Sequence, residues 1–147
     1  MTRIVLDTAA VVTAVRSANG AAGEVVELIL RGVVVILMDH KVAYEYRDVA
    51  LRPEHVAASA LSHEEIATLI DALEDIAEPV LVDWKHRPLS IDPDDDMILD
   101  VAIEARADAL VTDNKRHFKA AGQRFGIPVL SPAEFLKQLR EEDKDGE

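Results

Sequence analysis

A three-layer α/β domain, with a mostly parallel central sheet flanked by helices, is what the 147-residue sequence predicts, on three observations. Short uninterrupted apolar runs rich in β-branched residues recur along the chain, as strands buried on both faces do. Amphipathic segments of helical period lie between them, so strand and helix alternate. The chain is 49% hydrophobic and has no cysteine, so one core can form without disulfides.

The elements follow in chain order. Residues 2–6, Thr-Arg-Ile-Val-Leu, form a first strand that stops at Asp7-Thr8, a turn or helix-cap pair. Ala21–Leu30 sets Val25, Val26, Leu28, Ile29 and Leu30 among Glu24, Glu27 and Arg31, the pattern of a helix. Val33–Met38 is a continuous strand, and Asp39 then caps a helix over His40–Leu51 that ends before Pro53. Ser62 and Glu65 have capping-box spacing ahead of Ile66, Leu69, Ile70 and Leu73, and this helix ends before Pro79. Val80–Val82 is a short strand. Asp92-Pro93 opens a helix carrying Ile98, Leu99, Val101, Ala102 and Ile103. Residues 109–112 form a strand ending at Asp113-Asn114, and Pro128–Leu130 forms the last. Ser131-Pro132-Ala133-Glu134 caps a final helix with Phe135, Leu136 and Leu139 inward. The domain is expected over residues 1–140, followed by an acidic, disordered tail at 141–147.

Charge narrows the function. Sixteen Lys+Arg against 28 Asp+Glu leave −12, so a nonspecific grip on nucleic acid has to rest on a local basic patch. The amino terminus resembles neither a signal peptide nor a membrane span, and a cysteine-free chain suits a reducing compartment, so the expected location is cytoplasmic.

In open parallel sheets ligands bind beyond the carboxyl ends of strands, where Asp7, Asp83, Asp113 and Asn114 fall. Singly, each of them reads as a turn or cap residue. Asp92, Asp94 and Asp95 suit the first turn of a helix, where the dipole favours acids. Asp96 and Asp100 stand four apart on one helix face, where like charges repel. A shared cation would remove that cost, and a solvated face would tolerate it. Glu45, between Tyr44 and Tyr46, reads alone as a surface glutamate. Together, several carboxylates at one strand-end crevice make an all-oxygen site of the kind that selects Mg²⁺ or Mn²⁺.

The sequence resembles the PIN-domain family, in the branch of toxin components of type II toxin–antitoxin systems (VapC-like ribonucleases). The likeness runs to about Leu139. It rests on IVLDT at 4–8, AYEY at 43–46 with LRPEH at 51–55, LS at 61–62, AEPV at 77–80 and RP at 87–88. DPDDDMIL at 92–99, ADALVTDN at 107–114 and FGIPVLSP at 125–132 complete it. The resemblance implies a Rossmann-like three-layer fold and a Mg²⁺- or Mn²⁺-dependent endoribonuclease that hydrolyses phosphodiester bonds of RNA. Asp7, Glu45 and Asp96 match the family's metal-binding acids, and Asn114 the place where many members have a fourth. Asp113, beside it, is a further candidate ligand. Ala9 stands where an asparagine usually follows Asp-Thr.

Asp7, Glu45, Asp96 and Asn114 are thus the candidate catalytic residues, with Asp7, Glu45, Asp96 and Asp113 to hold metal. Thr112, Lys115 and Arg116 are candidate substrate contacts, joined by Arg87, Arg47 or Arg52 and by His117. The resemblance also implies a homodimer and an antitoxin that blocks the site. Two other readings are open. One is a PIN scaffold without catalysis that binds RNA or an antitoxin, for which Ala9 is the motive. The other is a phospho-accepting receiver module using Asp83, though the lysine such modules place after their last strand is missing from residues 129–132.

Overall fold

The computed structural model describes residues 1–82 and 96–145; the side chains of Asp96 and Asp145 lie outside the description. Among the described residues five strands form one parallel sheet: β1 (Arg3–Leu6), β2 (Val35–Met38), β3 (Glu78–Pro79), β4 (Ala109–Val111) and β5 (Val129–Leu130). Their order is β3-β2-β1-β4-β5, so β1 is central and the chain changes direction between β1 and β4. Arg3 faces Val35, and Ile4, Val5 and Leu6 face Ala109, Leu110 and Val111. Ile4, Val5, Leu6, Ile36, Leu37, Leu110 and Val111 are fully buried, which explains why these strands read as unbroken apolar runs.

The helices described are α1 (Thr8–Arg16), α2 (Ala21–Leu30), α3 (His40–Ala50), α4 (Pro53–Ala58), α5 (His63–Ile76), α6 (Asp96–Glu104), α7 (Lys115–Phe125) and α8 (Pro132–Asp145). Ser62 and Glu65 close a capping box on α5, and Ser131 and Glu134 close another on α8. Gly126 stops α7 at φ 70°, a left-handed conformation suited to glycine. At Gly122 a Cβ would lie 2.6 Å from a Val129 methyl, so glycine lets α7 close onto β5.

The strands are shorter than the apolar runs that announce them. Val33 is 48% exposed and precedes β2 in a turn. The strand expected at 80–82 forms instead at Glu78–Pro79. Its partner β2 ends at Met38, where Asp39 starts α3, so after Val80 donates to the Met38 carbonyl there is nothing left to pair with. Glu78 is anchored by the Arg3 guanidinium, whose pKa this hydrogen bond raises and which holds the Glu78 carboxyl below its usual range. At the other end, α8 continues past residue 140 to Asp145, with Gln138 donating to Glu142 one turn on. Residues 141–145 therefore extend the helix. The Asp92-Pro93 helix start, Asp83, Asp94, Asp95 and Arg87 lie outside the described residues.

Candidate active site at the ends of β1 and β4

The strand order reverses between β1 and β4, the position at which open parallel sheets bind ligands beyond the carboxyl ends of their strands. Asp7 occupies the end of β1. Its backbone N–H donates to the Val111 carbonyl at 2.9 Å, and by position it is the N-cap of α1. An aspartate there ordinarily accepts from the first-turn N–H groups, yet the Asp7 side chain makes no capping bond. It accepts from the Thr112 hydroxyl at 2.8 Å and is only 4% exposed.

Thr112, fully buried at the end of β4, is engaged at both ends of its hydroxyl, donating to Asp7 and accepting from the Asn114 N–H at 2.9 Å. Expected as a substrate contact, it is fully buried and holds Asp7 and the following turn. Asn114 is the N-cap of α7 and, like Asp7, leaves its helix uncapped by its side chain. Asp113 is exposed and accepts from the Thr13 hydroxyl of α1 at 2.6 Å.

The other wall is α3. Its own N-cap, Asp39, does cap, accepting from the Val42 N–H at 2.8 Å. Tyr46 is buried and donates to the Leu6 carbonyl, tying α3 to the residue before Asp7. Burial, then the charges of Asp7 and Asp39, push its phenol pKa well up, so it stays a neutral donor. Glu45, half-buried, lines a cleft with His40, Lys41, Tyr44 and Met97. Met97 follows Asp96 at the start of α6, a helix that packs on β1, β2 and α3. The Asp96 side chain lies outside the described residues. Asp100, one turn later, does not face water as a solvated pair would require; it is 2% exposed.

The donor chemistry fits a hard divalent cation. Asp7 and Asp100 are the buried carboxylates among the described residues, on elements that touch. Carboxylate oxygens are the donors that Mg²⁺ and Mn²⁺ take. Among the described residues no group of three or more acids or histidines is set to hold a metal.

Several expected RNA contacts are already engaged. Arg47 pairs with Asp71 at 2.6 Å and with Glu74, and both bonds raise its pKa. Arg52 pairs with Asp48 at 3.3 Å, and Lys115 with Glu134 at 2.8 Å. Arg116 and Lys119 make no ion pair among the described residues and line a groove with Gly126, Ile127 and Pro128. His117 is half-buried. Sequence reasoning missed Tyr46, Thr13 and the burial of Asp100. Only the last had a signal, its like-charged neighbour at 96.

A family model described as PIN domain matches residues 3–116. Among solved structures, the chain is similar in fold to VapBC2 from Rickettsia felis, crystallised bound to a DNA fragment from their promoter. The TM-score is 0.53 and the identity 19%, over 88% of this chain and 98% of that one. No curated protein matches significantly. Among the described residues no helix is long and apolar enough to cross a membrane.

Proposed function

Because the chain belongs to the PIN-domain family, we propose that it is a divalent-metal-dependent endoribonuclease, the toxin of a type II toxin–antitoxin module. The observation that carries the reading is the engagement of Asp7. A residue placed to cap α1 leaves the cap unmade and is held by Thr112 at the point where the strand order reverses. Asp7, Glu45 and Asp96 would hold Mg²⁺ or Mn²⁺, with Asp113, held by Thr13, as the acid at the rim.

A cation held there supplies a water of lowered pKa and neutralises charge on phosphate oxygens. The protein supplies the rest. Thr112 fixes the Asp7 carboxylate, so the acid is oriented before substrate arrives. Tyr46 holds α3, and with it Glu45, against the end of β1. Glu45 takes a proton from the attacking water as the new P–O bond forms; the P–O bond to the departing ribose oxygen breaks, and that oxygen takes up a proton from solvent to leave as the hydroxyl. Asn114, whose amide is not used as a cap, hydrogen-bonds the scissile phosphate, while Arg116 and Lys119 meet phosphates along the strand. In the assembled state a second copy and an antitoxin complete the module, the antitoxin blocking the crevice.

The rival reading, a scaffold that binds RNA or antitoxin without cleaving, rests on Ala9. One experiment separates the two: purified protein with single-stranded RNA and Mn²⁺, with and without EDTA, beside Asp7→Asn and Asp96→Asn. The enzyme cleaves, and cleavage disappears with chelator and in both variants. Mn²⁺ binding without cleavage would favour the scaffold, and no metal binding at all would make the carboxylates structural.

A further inference from the structure

Tyr44 makes no hydrogen bond among the described residues. On the outer side of α3 it is 71% exposed, at a position where a plain helix former would cost the fold nothing. Among the described aromatic side chains, Tyr46, Phe118 and Phe135 are fully buried and Phe125 is half-buried. Tyr44 alone of these stands in water. It is adjacent in sequence to Glu45 and shares with it a cleft of about 390 Å³, completed by His40, Lys41 and Met97. That volume is at the small end of sites that hold small organic ligands. An exposed ring with a methionine thioether beside it, next to the proposed cleavage site, is the kind of surface on which a flat, uncharged base stacks.

We propose that Tyr44 is the base-stacking platform of the site, holding one nucleobase of single-stranded RNA next to the scissile phosphate. The inference rests on the ribonuclease reading and adds to it how the strand is held. Stacking explains an aromatic in a chain whose net charge of −12 gives RNA no general attraction. It also makes the site tolerant of sequence, since every base has a π-face.

The test uses full-length Asp7→Asn protein, in which cleavage is absent, and a fluorescein-labelled single-stranded oligouridylate read by anisotropy. Adding Tyr44→Ala should weaken binding roughly 5- to 150-fold. Tyr44→Phe, which keeps the ring, should stay within about twofold of the parent. The salt dependence of binding should be unchanged by Tyr44→Ala, because no counterion is released by a ring. In the active protein, a single abasic residue moved along an RNA of mapped cleavage site should slow the wild type at one position. Tyr44→Ala should be indifferent to the abasic residue there. Unchanged affinity with identical abasic profiles overturns the proposal and leaves the ribonuclease standing. A loss shared equally by Tyr44→Phe also overturns it, by assigning the effect to the hydroxyl. A wild type that neither binds nor cleaves RNA overturns both readings.

Discussion

Asp39 and Asp7 sit in the same kind of place, each at the end of a parallel strand and the start of a helix, and their side chains do different things. Asp39 accepts from the Val42 N–H and so closes the first turn of α3. Asp7 leaves the first turn of α1 without that bond and is held by Thr112. The contrast extends around the molecule. α5 and α8 begin with closed capping boxes, whereas Asn114 leaves α7 uncapped by its side chain. A cap is worth about 1 kcal/mol to a helix. The two that are withheld lie at the ends of β1 and β4, on either side of the reversal in strand order. α2 and α4, which start at Gly20 and Arg52, also lack a side-chain cap, but neither residue is of a capping acid or amide type as Asp7 and Asn114 are.

Breaking each side of the contrast should have opposite consequences. Asp7→Asn keeps an acceptor for Thr112 and removes a buried charge, so RNA cleavage should fall about 10³-fold or more while the thermal midpoint does not drop. Calorimetry beside a cleavage assay checks both halves. Thr112→Val removes the donor to Asp7 and the acceptor for Asn114. It should cost roughly 1–3 kcal/mol in denaturant unfolding and lower Mn²⁺ affinity about 10- to 100-fold, with Thr112→Ser restoring both. Asp39→Ala is the ordinary case. It should destabilise by about 1 kcal/mol, a few degrees in the midpoint, with the cleavage rate unchanged.

The smallest effect concerns pH at the α8 cap. The hydrogen bond from Lys115, followed by that from the Ser131 backbone, lowers the Glu134 pKa from 4.5 to about 2. A depressed folded-state pKa contributes stability above the unfolded value that is lost as pH falls through the folded one. Unfolding midpoints measured between about pH 4.5 and 2 should therefore slope less steeply in Glu134→Gln than in wild type. Both groups are well exposed, so the difference is small.

Much of the fold was legible because it rests on local signals. The box at Ser62-Glu65, the Asp39 cap and the Ser131-Pro132 start each satisfy their bonds within four residues, so sequence spacing captures them. α1 and the short α4 drew no expectation as helices. α1 opens on Asp7-Thr8, which reads equally as a turn, and α4 is six residues long with no buried side chain. The strand at 78–79 depended on where β2 stops, a long-range fact. The site was legible as a set of acids at strand ends, but not in its wiring. The Thr112–Asp7 bond spans 105 positions and Tyr46–Leu6 spans 40, and neither residue type announces its partner. Lys115 shows the converse, a cation beside the crevice that Glu134 has already taken.

The central claim is that the Asp7 carboxylate is kept from its helix so that it can serve a cation, and the Asp39 carboxylate is not. The most direct test is the shift in thermal midpoint that Mn²⁺ induces, since a ligand of the folded state stabilises it in proportion to occupancy. Wild type and Asp39→Ala should show the same upward shift at matched Mn²⁺ concentrations, and Asp7→Asn should show little or none. An undiminished shift in Asp7→Asn would contradict the account.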